Sequence, residues 1–166
     1  MSYNLDVKKM TKDDWSLNNC KERAIYIITN YSKTEKQLRD KLKQSKKYDD
    51  KVIDETIKFL KKHNFINDKE YAYRFLELHK DRYSEKVIRQ KLYQKGIDKK
   101  LIDEVFLDNE VTFDSEELIK KLLIKKCPSY YEDKDEMDIK EKQKLYAYLA
   151  RKGFSYDDIS SVMNKS

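Results

Sequence analysis

Apolar side chains recur along this 166-residue chain in the three-and-four rhythm of an amphipathic helix. Leu38 and Leu42, Ile88 and Leu92, and Leu145 and Leu149 are i,i+4 pairs, each on one helix face. The second and third pairs belong to longer matching patterns. Ile88, Leu92, Ile97, Ile102 and Val105 align, 57 residues on and without a gap, with Leu145, Leu149, Phe154, Ile159 and Val162. An earlier copy sets Leu38, Leu42, Tyr48 and Ile53 in the same order, with one residue inserted near Ser45. Before each copy lies another apolar stripe: Ala24, Ile27, Ile28 and Tyr31; Ala72, Phe75, Leu76 and His79; Leu118, Leu122 and Leu123.

The only two glycines of the chain, Gly96 and Gly153, occupy the same place in the repeated phrase. Each follows a lysine just after the apolar pair. A helix ends well there, because glycine adopts positive φ without a Cβ penalty. Asp98 and Ser155 follow at positions suited to capping the next helix. Thr34 with Gln37 forms a capping box, and Ser84 holds the equivalent place one repeat later.

The pattern therefore predicts an all-α fold of three tandem three-helix repeats. The boundaries expected are an N-terminal extension over 1–17 and repeats over 18–66, 67–110 and 111–166. The segment 125–137, with the only proline and a mixed charge run, reads as a loop or a frayed helix end. Units this small bury little core alone, so the repeats are expected to stack into an elongated, bowed array.

Composition agrees. Charged residues make up 41% and apolar residues 39%, which leaves a thin core, and two glycines supply few hairpin turns. The net charge of +6 favours an anionic partner. It is concentrated early: residues 33–62 carry eleven Lys/Arg against six Asp/Glu, whereas residues 114–166 balance. Cys20 and Cys127 form no CxxC pair and read as two free thiols in a reducing setting. With no apolar leader and no run long enough to span a membrane, a cytoplasmic monomer is expected.

No active site emerges. The Lys-Gly order at both glycines is the reverse of a phosphate-binding loop. His63 and His79 are isolated, one in a polar helix end and one on an apolar stripe, so packing explains them better than metal binding or catalysis. The carboxylates alternate with lysines at helical spacing, as solvated faces do. Tyr31, Tyr48 and Tyr71 lie at or beside core positions and read as packing. Tyr93 and Tyr146 leave a surface contact open. The candidate partner- or DNA-binding residues are basic ones recurring on equivalent helices: Lys36, Arg39, Lys43, Lys46 and Lys47; Lys86, Arg89 and Lys95; Arg151 and Lys152. Gly96 and Gly153 are assigned to the turns. No cofactor or metal is expected.

Three phrases, "LKKHNFINDKEYA" (60–72), "YSEKVIRQKLYQKGI" (83–97) and "YLARKGFSYDDI" (148–159), resemble the signatures of RecX, the bacterial regulator of the RecA recombinase. The likeness runs from about Cys20 to Val162. It includes Leu60, Asn67, Asp68, Tyr71 and Ala72, and the Lys-Gly-Ile and Arg-Lys-Gly-Phe-Ser endings of the later repeats. This chain departs from the pattern in its first repeat, where Ser45–Lys46–Lys47 stands in place of the Lys-Gly of the later two. The resemblance implies a non-enzymatic protein that binds in the groove of the RecA–single-stranded DNA filament and mainly inhibits ATP hydrolysis and strand exchange. The residues alone leave two alternatives: a plain basic module binding single- or double-stranded DNA, or a helical scaffold for another protein.

Overall fold

The structure, a computed structural model, describes residues 12–108, 112–133 and 136–164. Among these residues there are ten helices and no strand. The helices are α1 (Lys12–Asn30), α2 (Glu35–Gln44), α3 (Asp50–Lys62), α4 (Asp68–His79) and α5 (Glu85–Gln94). They continue as α6 (Lys99–Asp108), α7 (Ser115–Lys126), the short α8 (Tyr130–Asp133), α9 (Ile139–Arg151) and α10 (Tyr156–Met163). The all-α fold of tandem three-helix repeats is as expected. The chain forms two compact units, one running to Ala72 and including Gln94–Asp98, the other comprising Tyr73–Tyr93 and the chain from Lys99 onward.

In the first unit α1 packs across α2 and α3. Its core holds Cys20, Ala24, Leu38, Leu42, Ile53, Ile57 and Leu60. In the second unit α7 packs on α9 and α10 around Leu118, Ile119, Leu123, Leu145, Leu149 and Ile159. The aligned apolar positions, Ile88, Leu92, Ile102 and Val105 included, are buried in every copy except at the half-buried Tyr48. Caps set the boundaries. Thr34 and Gln37 form the expected capping box, Asp49 and Asp114 accept from the first turns of α3 and α7, and Asp138 and Ser155 head two further boxes.

The glycine turns do more than stop helices. Gly153, at φ +96°, closes α9 with both bonds of a Schellman turn, Gly153 N–H to Ala150 O at 2.9 Å and Phe154 N–H to Leu149 O at 3.4 Å. The start of α5 sits directly on this turn. Ser84 N–H donates to Lys152 O and Ser84 Oγ to Gly153 O, each at 2.9 Å. A Cβ on Gly153 would collide with Ser84 and Val87. The first unit repeats the arrangement. Thr34 Oγ1 donates to Lys95 O at 2.6 Å, and a Cβ on Gly96, at φ +90°, would strike the aliphatic stem of Lys36.

Lys46 stands at the corresponding position of the first repeat and has φ +55°. The turn has the same left-handed residue without glycine, and Lys46 is exposed. Where no helix start among the described residues docks, an L-residue at moderate conformational cost suffices.

Three expectations change. Segment 125–137 is no simple loop: α7 continues to Lys126, and α8 buries Tyr130, whose hydroxyl donates to Met163 O at 3.3 Å. Burial pushes the Tyr130 phenol up to about 12. Tyr31 lies just beyond the end of α1 and is exposed, not packed. Tyr48 and Tyr71 are half-buried. Lys12 to Leu17, expected within the N-terminal extension, form the opening of α1, while residues 1–11 lie outside the described residues.

Replacing Gly153 by Ala should cost about 2 kcal/mol or more, from left-handed strain and the lost fit of Ser84. Lys46→Gly, a glycine placed where φ is already positive, should be neutral or stabilising by up to about 1 kcal/mol. Urea unfolding of the two variants tests this directly, and equal losses would mean that the docked helix start imposes no demand on the turn.

Candidate interaction surface

The candidate basic residues divide into two kinds. Arg39 and Arg89, fifty residues apart, are equivalent and equally engaged. Arg39 donates to Glu35 one turn earlier on α2 and to Asp54 on α3. Arg89 donates to Glu85 on α5, 2.6 Å from Nε, and to Asp103 on α6, 2.7 Å from Nη1. The Arg89 guanidinium also lies 3.9 Å from the centroid of the Phe106 ring. A planar fork suits this task, spanning two helices and two carboxylates at once. Lys43 is paired with Asp50 at 2.8 Å.

Burial disfavours the Glu35 carboxylate, but the hydrogen bonds and charges of Lys61 and Arg39 outweigh it and hold its pKa below the usual range. Asp68 goes the other way. Burial raises it, and the nearby Glu35 adds to the rise, although Asp68 accepts the Glu35 backbone N–H at 2.8 Å. The start of α2 is thereby tied to the start of α4 within the first unit.

The second kind of cation faces outward. Lys46, Lys47, Lys86 and Arg151 are exposed. Lys36 lays its stem over Gly96 with the side chain otherwise in solvent. In the second unit, Lys152 joins two lysines that the sequence reading passed over. Its ammonium lies 4.5 Å from the Tyr83 ring centroid and 5.4 Å from that of Tyr148. Lys91 stands 5.0 Å from Tyr83, and Lys126 stands 5.9 Å from Tyr148. The result is a ladder, Lys91–Tyr83–Lys152–Tyr148–Lys126, drawn from α5, α9 and α7 and the turns beside them. None of the three lysines is ion-paired to a described carboxylate. Ring faces hold a cation in place without cancelling its charge, so the ladder is a ready anion contact. Lys95, the equivalent of Lys152, lies 5.9 Å from Tyr71 in the first unit.

Little else gathers chemistry. His79 packs between Phe75 and Tyr83 at 4.2 and 5.7 Å, and His63 lies against Phe59 at 4.5 Å. Cys20 is a free thiol in the first core, its pKa pushed up by burial, and Cys127 is free beside the second core. Among the described residues no His, Cys, Asp and Glu cluster has metal-site geometry, and no helix is long and apolar enough to cross a membrane. The open tyrosines stand elsewhere: Tyr93 is exposed, and Tyr146 stacks on Tyr156 at 5.5 Å.

The fold and this surface define an all-α repeat protein with cation-bearing faces backed by aromatic rings. Models of the first, second and third three-helix domains of RecX match residues 20–60, 67–105 and 114–163, in that order. The Regulatory protein RecX of Clostridium beijerinckii is 38% identical over 152 residues, covering 88% of this chain and 67% of that protein. That of Clostridium botulinum strain Eklund 17B is 35% identical over 167 residues, covering 99% and 76%. The chain belongs to the RecX family of regulatory proteins. The crystal structure of RecX from Lactobacillus salivarius superposes with a TM-score of 0.66 over 90% of this chain and 95% of that one; at 24% identity the likeness concerns the fold.

Arg39→Ala should lower stability by roughly 1 kcal/mol, the scale of a partly exposed pair. Arg39→Glu should cost more, because it sets a third carboxylate beside Glu35 and Asp54. Denaturant unfolding distinguishes the two, and an unaffected charge reversal would show that the fork does not tie α2 to α3.

Proposed function

We propose that this protein is a non-enzymatic regulator that binds the RecA–single-stranded DNA filament along its groove and mainly inhibits ATP hydrolysis and strand exchange. The observation that carries this reading is the ordered match of all three domains to a family whose members are named regulatory proteins. The surface supports it. Arg39, Lys43 and Arg89 carry charge already engaged with carboxylates inside a unit. Lys36, Lys46, Lys47, Lys86, Lys95, Arg151 and Lys152 are the contacts assigned to the partner, with Lys91 and Lys126 added by the ladder. Weak contacts spread over tandem repeats gain strength through effective concentration when the partner is itself repetitive, as a filament is. The expected repeat boundaries at 18–66, 67–110 and 111–166, and action as a cytoplasmic monomer, belong to the same proposal.

The reading is tested by the ATPase rate of preformed RecA filaments on single-stranded DNA in excess, with this protein titrated far below the RecA protomers. Strong inhibition at those ratios is expected, since competition for naked strand could not produce it. Inhibition only when the protein rivals the DNA sites would favour a plain DNA-binding module instead. Reversing Lys91, Lys126 and Lys152 together to Glu should raise the inhibitory concentration at least about tenfold and flatten its salt dependence, with helicity unchanged.

A further inference from the structure

In the first unit a groove of about 860 Å³ runs between the C-terminal half of α1 and α2. Two tyrosines dominate it. Tyr26 is 61% exposed and Tyr31 is 72% exposed, and neither is in ring contact with another aromatic residue among the described contacts. Each has one cation beside it, Arg23 at 5.5 Å from the Tyr26 centroid and Lys33 at 5.6 Å from the Tyr31 centroid. Unlike Tyr83, which has two lysines on it, each of these rings has one cationic neighbour among the described contacts.

Exposed rings alone name no partner, but two tyrosines in one groove with cations beside both do narrow what the groove suits. Its cations, Arg23, Lys33 and Lys41, outnumber its one acid, Asp40, and none of the three is ion-paired to a described carboxylate. Its amides are half-used. Asn30 spends its NH₂ on Tyr26 O at 2.8 Å, which leaves Oδ1 as an acceptor, and Gln37 spends its oxygen on Thr34 N–H, which leaves its NH₂ as a donor. Flat rings, flanking cations and paired donor and acceptor groups together fit a flat heteroaromatic base with a phosphate on either side. Tyr26 lies near the end of α1 and Tyr31 just past it, so their backbones stand roughly 7.5 Å apart along the helix axis, on the scale of neighbouring nucleotides in an unstacked strand. A duplex hides its base faces, so the match is to a single strand.

We propose that the α1–α2 groove binds single-stranded nucleic acid directly, with Tyr26 and Tyr31 stacking on bases and Arg23, Lys33 and Lys41 meeting phosphates. This deepens the regulator reading by giving the protein its own contact to the strand, and it rests on that reading only for which strand is met in the cell.

The test is anisotropy of a fluorescent oligothymidine, and of a duplex of equal length, titrated with the full chain. Tyr26→Ala and Tyr31→Ala should each weaken oligothymidine binding roughly tenfold, the worth of one stacked base. Tyr26→Phe and Tyr31→Phe should restore it, because the stacking face remains. Both tyrosines are exposed, so thermal unfolding should be unchanged in all four variants. Unaltered oligothymidine affinity in the alanine variants, or tighter binding of the duplex, would overturn the assignment. The same variants in the RecA ATPase assay separate the two ideas. Inhibition by the wild-type chain alongside tyrosine-independent strand binding sinks only the groove. Tyrosine-dependent strand binding without any effect on the filament sinks only the regulator.

Discussion

At Ser84 and Thr34 one hydroxyl closes two structures at once. It caps or heads its own helix, and it donates to a carbonyl at the end of another helix, Gly153 O or Lys95 O. Helix C-termini carry carbonyls with no intrahelical partner, and helix N-termini carry amides in the same position. Docking one kind of end on the other satisfies both without a separate loop. The approach is close enough that the receiving turn can carry no side chain at its left-handed residue, so glycine is required there twice over, for φ and for space. The two glycines of a chain otherwise without them are accounted for by this contact alone.

The contact also governs where charge can go. A helix start seated on a turn fixes the orientation of the helix that follows it, and Arg39 and Arg89 then reach across to the third helix of their repeats in the same register. Arginine suits these positions because its fork meets two carboxylates in one geometry, whereas lysine is a point charge on a flexible stem. Partly exposed pairs of this kind are individually weak. Their value is in choosing one arrangement of small helices whose cores are too thin to be fussy. In the second unit Tyr83 and Tyr148 hold three lysines in a row, Lys91, Lys152 and Lys126, none of them paired with a described carboxylate.

Most of the fold was legible in the sequence because an i,i+4 pair such as Ile88 and Leu92 can bury itself in only one way. Thr34 with Gln37 and Ser155 announced their caps for the same local reason. The second half of the Ser84 contact was not legible, since its partner lies 69 residues away and spacing says nothing of which turn a hydroxyl will meet. Lys46 shows the limit from the other side: the glycine that marks the later turns is missing there, yet the turn forms with φ +55°. Tyr130 was hidden by its neighbours, because a proline and mixed charges around it outweigh a single aromatic in any periodicity. Among the basic residues, periodicity picked out Arg39 and Arg89 correctly as equivalent but could not tell an internal fork from a free cation. That distinction depends on Asp54 and Asp103, on a different helix. Lys91 shares the fifty-residue offset with Lys41, but nothing in the spacing sets it or Lys126 apart from other surface lysines, and only the fold brings the two to tyrosine faces.

Tyrosines and the cations beside them are put to opposite use in the two units. Around Tyr83 and Tyr148 the lysines sit on the rings, so the rings serve as supports and only charge is presented outward. Around Tyr26 and Tyr31 each ring has one cation and stays mostly in solvent, so the ring itself is presented. The difference follows from local structure. Tyr83 stands just before the Ser84 contact, where the turn carrying Lys152 is drawn onto it, while Tyr31 stands just past the end of α1 with Lys33 as its cation among the described contacts. A surface that offers charge alone fits any polyanion, acidic protein or phosphate. A surface that offers rings and charge together discriminates for unstacked bases. The proposed regulator of a nucleoprotein filament would have use for both chemistries, and a tandem repeat lets each repeat vary its outward residues while the buried contact that builds the turn stays the same.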